Sequence, residues 1–305
     1  MEFFNPNSTI DFMGVRKWAA TFSIVIFLIS LGALYHNGLN WGLDFTGGTQ
    51  IEVSYNHAAD LNAMRTALYN AGFKEAQVIS YGTSKSVLIS IAPRVDLEQT
   101  VIVDQIMHVL PGAIKQRVEF IGPQVGKELA TKGALAILVS LLATMIYIAI
   151  RFEYHLAISS AVALIHDPVL ILGLFALFGI EFDLKALAGL LAVIGYSLND
   201  TIVVFDRVRE NFIKVRRASS MQIMNISINQ TLSRTIMTSV LTLIVVVILF
   251  MYGGEAIHGF ALALIIGIII GTYSSIYVAG ALAVAMGLDK QHFFTKERAI
   301  NDDRP

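Results

Sequence analysis

Three ionisable residues stand where charge is expensive. Asp167, Asp200 and Arg234 fall inside or at the edge of long apolar runs, where inserting such a side chain costs at least about 2.5–3.5 kcal/mol. Asp200 lies in Gly195-Tyr196-Ser197-Leu198-Asn199-Asp200-Thr201, about four residues from the end of its run. Tyr196 and Ser197 precede it by one helical turn and share its face. Desolvation penalises the charged form of a carboxylate, which suits a proton carrier; the plainer alternative is a hydrogen bond to a neighbouring helix.

Arg234 opens the next apolar run at a matching depth. Ser227, Thr231, Arg234, Thr235, Thr238 and Thr242 recur at helical spacing as one polar stripe, and such a stripe faces a bundle interior or a watery path because lipid does not solvate it. An Arg–Asp pair would balance charge until a proton or a movement separates the two; alternatively Arg234 snorkels to headgroups as an anchor. Tyr196, Ser197, Asn199, Thr231, Thr235 and Thr238 are the expected polar lining, beside Asp200 and Arg234 as proton-transport residues. Asp167 is the weaker third, in Leu164-Ile165-His166-Asp167-Pro168-Val169. Pro168 frees a backbone carbonyl and favours a kink. His166 projects roughly 100° away around the helix, so the two need not act together. No third ligand stands at metal-binding spacing, which leaves helix–helix hydrogen bonding or a secondary proton step.

These residues must be held by helices. The chain has 305 residues, 55% hydrophobic and 15% charged, with mean hydropathy +0.65, against about 25% charged in ordinary soluble domains. Six runs reach the roughly 20 residues a crossing needs: 18–35, 129–150, 156–178, 186–205, 235–252 and 260–286. The first lacks a small-x-small site at Leu34-Tyr35-His36 and reads as an uncleaved anchor. The last carries Gly259, Ala263, Gly267, Gly271, Ser275 and Ala279 at every fourth position, a face for close helix packing centred on Gly267, Gly271 and Ser275. The spacing leaves open whether its partner helix belongs to this chain.

Lysine and arginine cluster on the side of both termini, from Arg16, Lys17 and Arg151 through Arg207, Arg209, Lys214, Arg216 and Arg217 to Lys290, Lys296, Arg298 and Arg304, while the short loops opposite, 179–185 and 253–258, offer only Lys185. Both termini are therefore expected in the cytoplasm, with the tail at 287–305. Asp206 to Arg217 reads as an interfacial helix drawn to anionic lipid.

The segment 36–128 is then external, with nine acidic and seven basic residues. Its periodicity predicts a strand at 49–55, a helix at 58–71, strands at 77–81 and 86–92 across a Gly82-Thr83-Ser84-Lys85 turn, a helix from Asp96 with Glu98 in its first turn to Val109, and a strand at 115–121. That β-α-β-β-α-β order is the ferredoxin-like one. The fold class expected is an α-helical polytopic membrane protein, a six-helix bundle with an α+β domain between its first two helices.

Several chemistries are absent. No Cys occurs, so disulfide and thiol chemistry are excluded. The net charge of −1 argues against nucleic acid. Leu43-Asp44-Phe45-Thr46-Gly47-Gly48-Thr49 has no following Lys-Ser/Thr and reads as a turn, not a phosphate loop. There is no Gly-x-Ser-x-Gly elbow, His-Glu-x-x-His helix or Walker lysine. No cofactor or enzymatic activity is expected, so any work draws on an ion gradient or on partners.

Trp41 to Thr49, Gly122-Pro123-Gln124-Val125-Gly126-Lys127-Glu128-Leu129, Ile194 to Arg207, Asn229 to Thr235 and Gly271-Thr272-Tyr273-Ser274-Ser275 together resemble the SecD/SecF family, a branch of the RND superfamily, over nearly the whole chain. The resemblance implies a six-span subunit of the bacterial inner membrane, with 36–128 in the periplasm. It would pair with SecD, associate with the SecYEG translocon and help unfolded precursor proteins complete their passage, using the proton-motive force after the ATP-driven motor has acted. It also implies proton passage at Asp200 and Arg234. An RND-like small-molecule exporter is the alternative, although such exporters carry two six-span halves in one chain; a purely structural assembly subunit is another.

Overall fold

The computed structural model describes residues 10–93, 99–215 and 217–293. Asp96, Glu98, Arg216, Lys296, Arg298 and Arg304 lie outside them, and with them the expected helix cap at Asp96. The chain opens with α1 (Arg16–His36), a short strand β1 (Asn40–Trp41) and a single helical turn α2 (Leu43–Thr46). There follow β2 (Gly48–Ser54), α3 (Leu61–Asn70), β3 (Gln77–Tyr81), β4 (Thr83–Ile91), α4 (Gln99–Val109) and β5 (Ile114–Ile121). The remainder is helical: α5 (Pro123–Arg151), α6 (Tyr154–Phe178), a strand β6 (Glu181–Phe182), α7 (Leu184–Lys214), α8 (Ser220–Tyr252) and α9 (His258–Ser274), which continues through a π turn (Ser275–Gly280) into α10 (Ala281–Ala285). Six of these helical runs are long and apolar enough to cross a membrane.

Local chemistry sets the boundaries. Asp60 accepts the backbone N–H of Asn62 and of Ala63, both at 3.0 Å, so the first helix of the sheet domain starts at Leu61 and not at residue 58. A reciprocal box between Ser219 and Gln222 starts α8 fifteen residues ahead of its apolar run. The β3–β4 turn is tighter than expected, with Tyr81 paired to Thr83 after a register shift. α6 continues unbroken past Pro168.

Strands β3-β4-β2-β5 form one antiparallel sheet in that order. Alternation puts Ile51, Val53, Val87 and Ile89 on one face, against Leu68 of α3 and Ile106 of α4. The other face presents Gln50, Glu52, Arg117 and Glu119 to a cavity of about 450 Å³, closed opposite by Glu181 and Asp183.

That cavity sits at the joint between sheet and helices. β1 pairs in parallel with β6, and the Trp41, Phe45 and Phe182 rings gather with centroids 5.5–6.0 Å apart. Asp44 accepts the backbone N–H of Leu184 at 3.0 Å and Asp183 that of Ala186 at 2.7 Å, so carboxylates from both sides meet the start of α7. The glycines serve the turn: Gly47 and Gly48 have φ +72° and +133°, and a Cβ on Gly48 would lie 2.2 Å from the Ile91 carbonyl oxygen. Within the bundle α9 packs on α7, which identifies the partner of the small-residue face as a helix of the same chain. A Cβ on Gly267 would lie 2.1 Å from Val193, and one on Gly271 3.0 Å from Ser197.

Candidate functional site

Two buried carboxylates stand on successive helices of the bundle, Asp167 on α6 and Asp200 on α7, with very different company. Asp167, 1% exposed, receives three donors. Ser197 Oγ of α7 at 2.5 Å and Ser274 Oγ of α9 at 2.8 Å both donate to Oδ2, and His166 Nδ1 lies 3.0 Å from Oδ1. This carboxylate ties α6, α7 and α9 together, and a carboxylate with this many donors is well satisfied inside a protein. The contact corrects the expectation that His166 and Asp167 need not act together: neighbouring side chains bend toward each other across the 100° between them. His166 also stacks on Phe27 of α1 at 5.9 Å.

Asp200, 2% exposed, has a single long hydrogen bond among the described residues. Ser239 Oγ of α8 donates to its Oδ2 at 3.4 Å. A hydroxyl carries one proton, and Ser239 Oγ also lies 2.8 Å from Thr272 Oγ1 of α9, whose own proton has an acceptor in the Ile268 carbonyl at 2.8 Å. Tyr196 OH donates to Ser239 Oγ at 3.5 Å. Asp200 thus sits at the end of a short hydroxyl chain at the junction of α7, α8 and α9, served by a donor with a closer alternative.

Arg234 is exposed, and among the described residues it forms no ion pair; its charge reaches Asp200 through space without contact. The expected stripe on α8 divides in two. Ser227, Thr231 and Thr235 face inward, continued one turn on by Ser239, whereas Arg234 and Thr238 face outward. Thr238 satisfies its hydroxyl on the Arg234 and Thr235 carbonyls, and Thr231 on those of Ser227 and Ile228. Thr235 Oγ1 is buried without a partner among the described residues.

Of the other expected lining residues, Tyr196 takes its place near Asp200, but Ser197 turns to Asp167, and Asn199 is exposed. Asn199 departs because a residue at i−1 projects about 100° around the helix axis, and Ser197, although one turn from Asp200, is drawn to the Asp167 carboxylate of α6. Gly267 and Gly271 form the α7 contact, while Ser275 is fully buried and bonds the Thr272 carbonyl within its own helix. Ser239, Thr272 and Ser274 were missed; Ser239 continues the four-residue spacing of Ser227, Thr231 and Thr235, a signal present in the sequence. No cluster of three metal-ligating side chains occurs among the described residues.

Comparison with known proteins follows this geometry. A family profile described as "Protein export membrane protein SecD/SecF, C-terminal" matches residues 102–289, and one described as "SecD/SecF GG Motif" matches residues 32–59. The chain is 49% identical over 310 residues to the protein translocase subunit SecF of Vibrio alginolyticus, covering 97% of each. It is 42% identical over 293 residues to that of Escherichia coli O157:H7, covering 94% of this chain and 91% of the relative. The solved structure of SecDF, a translocon-associated membrane protein from Thermus thermophilus, matches with TM-score 0.85 at 35% identity over 93% of this chain. A SecDF structure in a super-membrane-facing form matches with TM-score 0.69 at 35% identity over 92% of this chain. The chain spans 39% of each of those two solved chains.

Proposed function

This chain belongs to the SecD/SecF family of protein-export membrane proteins, and from that premise we propose that it works as one half of a proton-driven auxiliary of the Sec translocase in the bacterial inner membrane. Both termini lie in the cytoplasm and the ferredoxin-like domain within 36–128 lies in the periplasm, where it acts on unfolded polypeptide leaving the SecYEG channel in a late step that needs no ATP. Asp200 takes up and releases the proton. The observation that carries this reading is the contrast between the carboxylates: Asp167 is fully engaged, whereas Asp200 is buried with one 3.4 Å donor. A buried carboxylate so poorly served is costly to hold as a fixed charge and has no evident packing duty.

The outward face supports a SecD partner. Arg234 and Asn199 are exposed on adjoining helices, and lipid is a poor solvent for both. A second membrane subunit covering this face would enclose Arg234, bringing a buried cation into the electrostatic environment of Asp200. That this chain spans 39% of the solved SecDF chain agrees with that division.

Export of a signal-bearing precursor tests the proposal in cells depleted of this protein and rescued with wild type or Asp200→Asn at equal abundance. Asparagine accepts the Ser239 hydrogen bond but carries no proton. Rescue by wild type alone supports the proton role; equal rescue by both assigns Asp200 to packing and overturns it.

A further inference from the structure

Beside the sheet-free face of the bundle, an apolar groove of about 610 Å³ runs between α1, α6 and the π turn with α10. Small side chains create it: Ala20 and Ser23 on α1 face Ala281 and Ala285 on the last helix, leaving room that larger residues would fill. The walls are otherwise mostly hydrocarbon, with Ile24, Leu28 and Val162 among them beside the His166 and Tyr277 rings. One end is different. Arg16 and Lys17 line it, and neither forms an ion pair among the described residues. Arg16 Nη1 donates to the Met13 carbonyl at 3.1 Å and also contacts Met221 Sδ, while its Nη2 and Nε make no hydrogen bond among the described residues. The same end is the N-terminus of the 21-residue α1, where Val15 supplies no side-chain cap and no acid occupies the first turn; the nearest carboxylate, Asp11, is engaged by the Gly14 N–H at 2.9 Å and by the Asn225 amide at 2.7 Å.

We propose that this groove binds one anionic phospholipid, its phosphate held by Arg16 and Lys17 and an acyl chain laid along the apolar walls. Charge complementarity selects this occupant. A zwitterionic lipid brings its own cation to a site already holding two, and an apolar helix of another protein leaves both cations without a counter-charge. The bound chain would touch His166, which lines the groove and holds Asp167, and Tyr277 and Val278 of the π turn that follows Ser274. The lipid therefore buttresses the Asp167 hub from behind, at the place where the helix departs from α-geometry.

The test is native mass spectrometry of the full chain released from nanodiscs of phosphatidylglycerol and phosphatidylcholine in equal amounts. Wild type is expected to retain one phosphatidylglycerol over phosphatidylcholine by about tenfold, the ratio that one charge-assisted hydrogen bond supports. Arg16→Gln with Lys17→Gln brings that ratio near parity. Ala20→Leu with Ala285→Phe fills the groove, keeps both cations, and loses the retained lipid. Equal retention of the two lipids by wild type overturns the proposal, as does undiminished retention in the filled variant. A photo-crosslinker at position 285 adds a second readout in intact cells: lipid adducts support the site, and adducts to another protein overturn it.

Discussion

Replacing Gly267 by alanine puts a methyl group where α9 touches α7. Its Cβ would lie 2.1 Å from Val193 Cγ2, 2.6 Å from Cγ1 and 2.9 Å from Cβ. Carbon atoms in contact settle about 3.5–4.0 Å apart, so the nearest approach is short by at least about 1.4 Å. Val193 is fully buried, and a valine in a helix has one strongly preferred rotamer, so it does not turn aside cheaply. Overpacking of this kind costs about 1–3 kcal/mol, and three short contacts on a stiff neighbour place Gly267→Ala near the upper end. Alanine's better helix propensity returns about 1 kcal/mol, for a net loss of about 1–2 kcal/mol. Two controls isolate the cause. Gly195→Ala meets no atom within 4 Å and keeps only the propensity gain, so it is neutral or stabilising. Val193→Ala in the Gly267→Ala background removes the two nearest methyl groups, leaves only the 2.9 Å approach of the Cβ atoms, and restores part of the loss. The assay is reversible SDS-induced unfolding of the full chain in mixed micelles. Gly267→Ala as stable as Gly195→Ala, or no recovery in the double variant, refutes the assignment of α7 and α9 as the pair held by the glycines.

Two further predictions concern the joint and the carboxylate contrast. Burial, then the neighbouring Asp183, pushes the Glu181 carboxyl above the usual carboxylate range, against the hydrogen bond it accepts from the Leu43 N–H. The folded state then binds this proton more tightly than the unfolded one, so stability is fully present below the ordinary carboxylate range and declines as pH rises through the raised value. Melting of the full chain between about pH 4 and pH 7 should show that decline, with a flatter profile in Glu181→Gln; identical slopes count against it. Ser274→Ala removes one of Asp167's three donors and is expected to cost about 1.5–3 kcal/mol, while Ser239→Ala removes a 3.4 Å contact and costs less than about 1 kcal/mol. Equal or reversed losses in the same unfolding assay contradict the difference drawn between Asp167 and Asp200.

The sequence made the spans legible because burial in lipid demands long apolar runs, and the alternation of Ile51, Val53, Val87 and Ile89 made the strands legible for the corresponding reason in a sheet. The true helix lengths were less visible. α8 begins at Ser219's box and crosses polar residues that a hydropathy count excludes, since hydrogen-bonded helix continues wherever caps and packing allow it. Within the site, Asp167 and Asp200 were legible as costly residues, but their partners were not. Ser197 stands three residues from Asp200 and bonds Asp167 on another helix, a choice set by the α7–α9 approach at Gly271 and by no local period. The stripe on α8 misled for a related reason: four-residue spacing keeps Ser227, Thr231, Thr235 and Ser239 together, whereas steps of three and four mixed Arg234 and Thr238 into the same face.

The position of α7 gives the proposed coupling a physical route. Its first N–H groups are held by Asp44 from α2 and by Asp183, and Asp200 lies sixteen residues further along, about 24 Å at 1.5 Å per residue. Glycine-mediated packing on α9 leaves little slack between those two points, so a tilt or shift of α7 at Asp200 moves its far end instead of being absorbed by loose side chains. At that end the apolar cluster of Phe45, Phe175, Phe182 and Leu187 joins α2 and β6 to the bundle, while the sheet turns its own apolar face to α3 and α4. It meets the helices through β1 and β6, one aromatic cluster, and a cavity lined by Glu52, Glu119, Arg117 and Glu181. Such a joint has many polar contacts that exchange readily with water, and few that fix a single angle. Two SecDF structures at the same 35% identity to this chain match it with TM-scores of 0.85 and 0.69, so chains equally distant in sequence differ in arrangement. A stiff helix ending in a polar joint is the arrangement through which proton uptake at Asp200 would become movement of the sheet domain.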